Sequence, residues 1–314
     1  MSSAEQSERT ILYLPASSVD WAGILTQFTL QIAATEGRLY ATWAGERMSR
    51  ATEVNDGIIA LTPQGSLLGL MLFQVVDQSA ELSFPWTKNA DPDLAEILTE
   101  ATLSALAEEY HDVRYIRIER QLLPGKIDPS GIEQAGFACH WRKRMLLDLA
   151  AQHESAQVPI GYHVLPWSVG YIDMAADVVY RANLGTLDAQ LYAPFFGDSP
   201  AQCRKGLLAI LAGRYGTVLQ DATVCAFQGD TLVGINLVID EEGGLASVVE
   251  LSVDPQHQHR GLGRALLLQS ISVLQQQAFE RVELAVTNAN THAYHLYQSL
   301  GFTEFGSFPV CIPR

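Results

Sequence analysis

The chain has 314 residues, 48% hydrophobic and 18% charged, which is enough apolar material to fill sizeable cores and excludes a disordered or fibrous protein. Thirty-five Asp and Glu against 20 Lys and Arg give a formal charge of -15 and a pI near 4.9, so a broad nucleic-acid-binding face is excluded and only a small local basic patch could hold an anion. The opening residues lack a basic segment leading into an apolar one, and no run approaches the roughly 18 apolar residues of a membrane span, so a cytoplasmic protein without membrane contact is expected. Cys139, Cys203, Cys225 and Cys311 share no metal-ligand spacing and are too sparse for a disulfide framework; four buried thiols in a reducing compartment, and no metal site, are expected.

Taken in chain order, one pattern is written twice. Residues 57–61 and 67–76 flank a turn at Pro63-Gln64-Gly65, and residues 81–86 make a third strand. A helix over 92–110, with Leu and Ala at three- and four-residue spacing, leads into a strand at 113–119. A polar stretch without periodicity, 150–159, separates this half from the next, which divides the chain into domains 1–150 and 151–314. In the second half, strands at 222–228 and 231–240 are joined by Gly229-Asp230; Glu241 to Gly244 turns into a third at 245–253, followed by a helix over 261–279 and a strand at 281–287. Gly69 and Gly234, Glu81-Leu82 and Glu250-Leu251, and Gly136-Phe137 and Gly301-Phe302 recur at separations of 165 to 169 positions. Antiparallel strands, a crossover helix and a further strand describe an α/β (α+β) domain built on a mixed, mainly antiparallel sheet flanked by helices, here in tandem.

Gln258-His259-Arg260-Gly261-Leu262-Gly263-Arg264 lies between the third strand of the second half, ending Val253-Asp254-Pro255, and the helix after it. A pyrophosphate needs backbone N–H groups at close approach, glycines where a Cβ would intrude, and the positive end of a helix; His257, His259, Arg260 and Arg264 add the one basic cluster of an acidic chain. The preceding strand belongs to an antiparallel meander, which does not suit a dinucleotide fingerprint, and no Lys-Ser/Thr follows as in a Walker loop.

These residues resemble the GNAT superfamily of acyl-CoA-dependent N-acyltransferases, whose motif is Gln/Arg-x-x-Gly-x-Gly/Ala after a strand commonly ending in Val-x-Pro. A second block, Asn290 to Phe302, is similar to the family's Asn-x-x-Ala-x-x-Leu-Tyr helix ending in Gly-Phe. The resemblance implies two tandem GNAT-like domains with acetyl-CoA as co-substrate. Its contacts would be Leu251, Ser252, Val253, Gln258, His259, Arg260, Gly261, Leu262, Gly263, Arg264, Asn290 and Ala293. The first half looks degenerate: residues 85–92 have neither the glycine pair nor a basic cluster, and 128–135 lack the Asn-x-x-Ala-x-x-Leu-Tyr helix.

The mechanism implied is direct attack by an amine on the thioester, with Tyr297 as acid to the departing sulfur. Alternation along 248–253 puts Glu250 and Ser252 opposite Leu251 and Val253, which makes Glu250 the candidate base; a solvated or salt-bridged strand carboxylate is the alternative. His163, His257, His292 and His295 are weaker candidates. The acceptor region falls at 183–200, where Tyr192, Phe195 and Phe196 form an aromatic wall or pack the segment onto the core, and Asp188 and Asp198 suit a cationic acceptor. The expectation is an N-acetyltransferase acting on a small-molecule or peptide amine; the rival is an acyl-CoA-binding or sensing protein without turnover, and homo-oligomerisation is left open.

Overall fold

A computed structural model of the chain describes residues 9–314 apart from 124–126, 151–153, 198 and 241–244, and apart from the side chains of 43 and 194. The expected turn at 241–244 and the carboxylate Asp198 therefore lie outside the described residues. The chain forms two compact units, one of Met1–His140 with Pro309–Arg314, the other of Trp141–Phe308.

The first unit carries β1 (Thr10–Leu14), α1 (Trp21–Glu36), α2 (Arg38–Thr52), β2 (Asp56–Leu61), β3 (Leu67–Val76), β4 (Ser79–Ser83), β5 (Trp86–Thr87), α3 (Pro92–Glu109), β6 (Tyr115–Arg120), α4 (Ser130–Gln134) and the start of β7 (Phe137–Asp148). Its sheet runs β1-β2-β3-β4-β6, antiparallel except for the β4–β6 pair. Alternate residues serve two cores. Ile58, Ala60, Met71 and Phe73 face α3 through Leu94, Leu98 and Leu106, whereas Ile59, Leu70 and Leu72 face Trp21, Phe28 and Met48 of α1 and α2. Burial on both faces is why these strands read as unbroken apolar runs. The third strand expected at 81–86 is split by Pro85, which has no N–H for a ladder; β5 beyond it pairs with β3 instead.

The second unit repeats the order with β8 (His163–Pro166), α5 (Ile172–Asn183), α6 (Leu187–Leu191), α7 (Ala193–Phe196), α8 (Pro200–Leu211), β9 (Thr217–Val218), β10 (Val224–Gln228), β11 (Thr231–Asp240), β12 (Leu245–Val253), α9 (Leu262–Gln276), β13 (Arg281–Thr287), α10 (Thr291–Ser299) and β14 (Thr303–Pro313). Its sheet runs β8-β10-β11-β12-β13-β7, with β12 and β13 parallel. One face packs on α9 and α10 through Leu267, Ile271 and Leu300; the other packs on α5 and α8 through Val178, Val179 and Leu207.

The packing divides the chain before the polar stretch at 150–159, because β7 and β14 serve both units. Residues 142–148 of β7 pair antiparallel with β13, from Arg142↔Thr287 to Asp148↔Arg281, while Cys311 of β14 pairs with Ile118 of β6. The cysteine expectation needs correction for one pair. Cys139 and Cys311 form a disulfide across 172 positions, brought together because both lie on strands that finish the first unit's core. Sparse spacing in sequence carries no information on such a long-range neighbour. Cys203 and Cys225 are buried free thiols. Among the described residues no helix is long and apolar enough to cross a membrane, and no group of three metal-ligating side chains converges.

A fragment 156–314 deletes the strand that covers the β13 edge, whereas 141–308 keeps it. The longer cut should give the higher soluble yield and melting temperature in parallel expression; equal behaviour would show that the β7 ladder is dispensable.

Candidate active site

The β11–β12 ladder places Leu237 opposite Glu250 and Val238 opposite Val248, so Val249 is an extra residue, a β-bulge. The parallel β12–β13 ladder ends at the same point, with Val248↔Leu284 its last pair. From Val249 onwards β12 parts from β13, and the backbone groups of 249–253 on that edge lack a strand partner. Val248 packs towards α9 and α10, whereas Val249 packs towards α5 and α8.

Glu250 and Ser252 follow on the α5 side, and Leu251 and Val253 on the α9 side. The Glu250 carboxylate is buried and accepts the Ser252 hydroxyl at 2.5 Å; Ser252 in turn accepts the side-chain amide of Asn183 at 3.3 Å. Burial pushes the Glu250 carboxyl up to about 7, with the nearby Asp188 adding to the rise and Ser252, Asn183 and Arg142 opposing it. A carboxylate that changes charge near neutrality is suited to moving protons. Tyr297 of α10 is buried beside Phe302, and burial, then Glu250, push its phenol well above its usual range, so it keeps its proton at neutral pH.

Sequence reasoning passed over Arg142 and Thr287, and placed Asn183 only at the start of the acceptor region without a role of its own. Arg142, on β7, donates to the Tyr192 hydroxyl and to the Ala285 carbonyl at 3.0 Å, with its guanidinium 4.8 Å from the centre of the Tyr192 ring. Thr287, its register partner, donates to Asp188 at 2.5 Å. The signal available was the Arg142-Lys143-Arg144 run within a strand. Tyr192 therefore faces this cluster. Phe195 and Phe196 instead pack onto the α5–α8 core, Phe195 so tightly that a Cβ on Gly206 would come within 2.9 Å of its ring. Cys203 nearby donates to the Phe196 carbonyl, and burial and Glu250 raise its thiol to about 12, which leaves no reactive thiolate.

Beyond β12 the loop rises through a single turn, Pro255–His257, and enters α9 at Gly261, which adopts φ +84° and offers no side-chain cap. The first N–H groups of α9 are thus left for a ligand, and Gly263 has only Leu296 within van der Waals reach of an added Cβ, at 3.5 Å. Gln258 is tied to the Val253 carbonyl at 3.0 Å, Arg260 to Tyr162 at 2.9 Å, and Arg264 to Ser299 at 2.8 Å and to Glu154. His259 and His292 meet edge to face, 5.0 Å apart. Leu262 is buried, so it offers a ligand only its backbone. Asn290 caps α10 through the Ala293 N–H at 3.2 Å, and Ala293 packs against the α9–α10 core. The other candidate histidines make ring contacts, His163 on Phe227, His257 beside Tyr162 and His295 beside Tyr294.

The corresponding parts of the first unit are arranged differently, although residues 84–92 there line a cavity of about 1000 Å³ together with residues of α1 and Leu122. β4 stays paired with β6 to Ser83↔Arg120, and the Phe84 N–H still bonds the Arg120 carbonyl at 2.7 Å. Asp91 caps α3 by accepting from the N–H groups of Asp93 and Leu94, so a carboxylate fills the seat an anion would take. Glu81, the counterpart of Glu250, is paired with Arg117 at 3.3 Å.

Glu250 titrates near 7 in the fold against 4.5 for an ordinary glutamate, so the folded state holds the extra proton and the contribution to stability is lost as pH rises from 4.5 through 7. Glu250→Gln should raise the melting temperature at about pH 8 and lose that gain towards about pH 4.5; thermal melts across pH read this, and a gain that is flat in pH would contradict it.

Residues 196–302 match the pattern of the acetyltransferase (GNAT) family. Mycothiol acetyltransferase of Thermobispora bispora is 42% identical over 64 residues, a match spanning 20% of this chain and 22% of that relative's length. A GCN5-related N-acetyltransferase from Sphaerobacter thermophilus superposes with a TM-score of 0.63 at 16% identity over 96% of this chain and 95% of its own. A tandem GNAT protein from the clavulanic acid biosynthesis pathway does so with a TM-score of 0.56 at 15% identity, over 97% and 98%. These two likenesses show the fold, and the family match covers the uncapped α9 entrance, Glu250 and Tyr297: residues 196–302 match the acetyltransferase (GNAT) family, in a chain whose fold is similar to that of a tandem GNAT protein.

Proposed function

We propose that the protein is an N-acetyltransferase that moves an acetyl group from acetyl-CoA to the primary amine of a small molecule or peptide, with its chemistry in the second unit. The observation that carries this is the buried Glu250 at the place where β12 parts from β13, with the buried Tyr297 phenol near enough to be influenced by its charge and the uncapped entrance to α9 beyond the end of β12. The fit to acetyl-CoA rests on that entrance: N–H groups of Leu262, Gly263 and Arg264 for the pyrophosphate, and backbone of Leu251 and Val253 for the pantetheine arm. Bound acetyl-CoA supplies an activated thioester carbonyl. Glu250 takes a proton from the incoming ammonium, which frees the nitrogen lone pair; a β12 backbone N–H faces the developing oxyanion; and Tyr297 supplies a proton to the leaving sulfur. No side chain forms a covalent intermediate. A match covering 22% of mycothiol acetyltransferase does not carry that enzyme's acceptor across.

Acceptor-dependent release of CoA across a panel of amines tests the reading; tight acetyl-CoA binding without release from any amine would return the non-catalytic alternative. One acetyl-CoA should bind per chain, because in the first unit Asp91 already caps α3 and β4 stays paired with β6 as far as Ser83, and calorimetry should give a stoichiometry near one. Gly263→Trp should abolish binding, whereas Asn89→Trp should not.

Tyr297→Phe should lower kcat by about 10²-fold, with acetyl-CoA affinity kept because the ring stays packed. For Glu250→Gln the defect should be largest below about pH 7 and shrink as pH rises and more amine arrives neutral. Steady-state kinetics across pH check both. Full turnover in Tyr297→Phe with chemistry rate-limiting would make the phenol structural.

A further inference from the structure

The charged groups around Glu250 extend beyond the family match. Arg142 comes from β7, outside residues 196–302, yet it reaches into this cluster. Its guanidinium is fixed by the Tyr192 hydroxyl on one side and by the Ala285 carbonyl on the other, and Ala285 is the first β13 residue past the last pair with β12. Asp188, four positions before Tyr192, is held by Thr287, the residue opposite Arg142 in the β7–β13 ladder. One strand pair therefore anchors both ends of the α6 segment that bounds the site.

The groups facing Glu250 can be taken element by element. Asn183 ends α5, Asp188 comes from α6, Cys203 from α8, Tyr297 from α10, Arg142 from β7, and Ser252 from its own strand. Among these Arg142 is the cation. Two carboxylates and one guanidinium leave the cluster one positive charge short of neutrality, which a single ammonium supplies.

Resting on the acetyltransferase reading above, we propose that Arg142 is a positioning residue of the acceptor site: it holds Tyr192 and the Asp188 segment against β13 and keeps the Glu250 carboxylate charged, ready to accept a proton from an acceptor whose one local charge is the reacting ammonium. The step balances simply. The N–H bond of the ammonium breaks, its proton goes to a Glu250 oxygen, and the electron pair stays on nitrogen for attack. Without Arg142 the carboxylate sits beside Asp188 with no compensating cation, and its neutral form is favoured.

The full chain is assayed with acetyl-CoA and an amine that the wild type acetylates, from about pH 5.5 to about pH 9.5. Arg142→Gln should move the acidic limb of kcat/KM upward by about 1 pH unit, which is about a tenfold loss on that limb and little loss at the alkaline end. Arg142→Lys should restore the wild-type limb, and acetyl-CoA affinity should stay within about twofold of wild type in both. Superimposable profiles, a loss equal at every pH, or a fall in acetyl-CoA affinity alongside turnover would overturn the assignment.

Carbon-13 titration of the Glu250 carboxyl, identified by its disappearance in Glu250→Gln, reads the same upward shift without turnover. An unshifted titration in Arg142→Gln overturns the inference even if no acceptor is found, whereas absence of turnover from every amine counts against the transferase reading alone. Should Arg142→Gln fail to fold, Tyr192→Phe removes only the hydroxyl that Arg142 holds. It should raise the acceptor KM several-fold with acetyl-CoA affinity unchanged, and an unaltered acceptor KM overturns the proposal.

Discussion

The extra residue at Val249 is the constraint on which the arrangement of the second unit's buried charges depends. A regular β12 would pair with β13 along its whole length, and its side chains would alternate without interruption between the two cores. The bulge ends the parallel ladder at Val248 and sends Val249 towards α5 and α8. Glu250 then enters the same side as Asn183, and backbone beyond it is released from pairing. Bulges bend a strand and redirect side chains at little cost in length. Here the irregularity releases the β12 backbone beyond Val248 from β13 and turns a carboxylate to the α5 side.

Burying that carboxylate opposes folding, and the surrounding groups offset the penalty only in part: Ser252 and Asn183 supply hydrogen bonds, Arg142 a countercharge, while Asp188 acts against them. A residue kept where it weakens the fold near neutral pH is what a stability–activity trade-off predicts for a working acid–base group. The first unit makes the contrast. Its Glu81 has a guanidinium directly in contact, its β4 stays paired with β6 as far as Ser83, and its α3 is capped by its own aspartate. Two copies of one pattern thus differ in the partner of the glutamate, in the extent of the parallel pairing and in the capping of the helix that follows.

The duplication, the sheet type, most strand limits and the glycine-bearing loop were legible in the sequence because each depends on residues close together along the chain. Gly261 and Gly263 read as places where a Cβ would intrude from the strand-to-helix turn they occupy, and the block from Asn290 to Phe302 reads as one helix ending in glycine. Arg142 and Asn183 were not legible. The first lies 108 positions from Glu250 and the second 67, so only the packing of β7 and α5 shows that they belong to the same cluster. The aromatic segment at 192–196 was divided in the same way: alternation cannot say that Tyr192 turns to the arginine while Phe195 and Phe196 turn to the core. The Cys139–Cys311 pair and the early division of the chain share one cause, namely two strands that serve both units and have no local signature.

That sharing has a consequence for the order in which the protein can be built. Residues 309–314, which close the first unit's core beside Ile118 and Gly136, are translated after every other element described here. The first unit therefore emerges from the ribosome with one flank of its sheet bare and Cys139 without its partner, and must wait through the synthesis of the whole second unit. The second unit has the reverse history, since its β7 edge is made before any other part of it. The second unit, one continuous stretch, can finish on its own schedule, so the tandem arrangement ties the maturation of the first unit to the completed synthesis of the second.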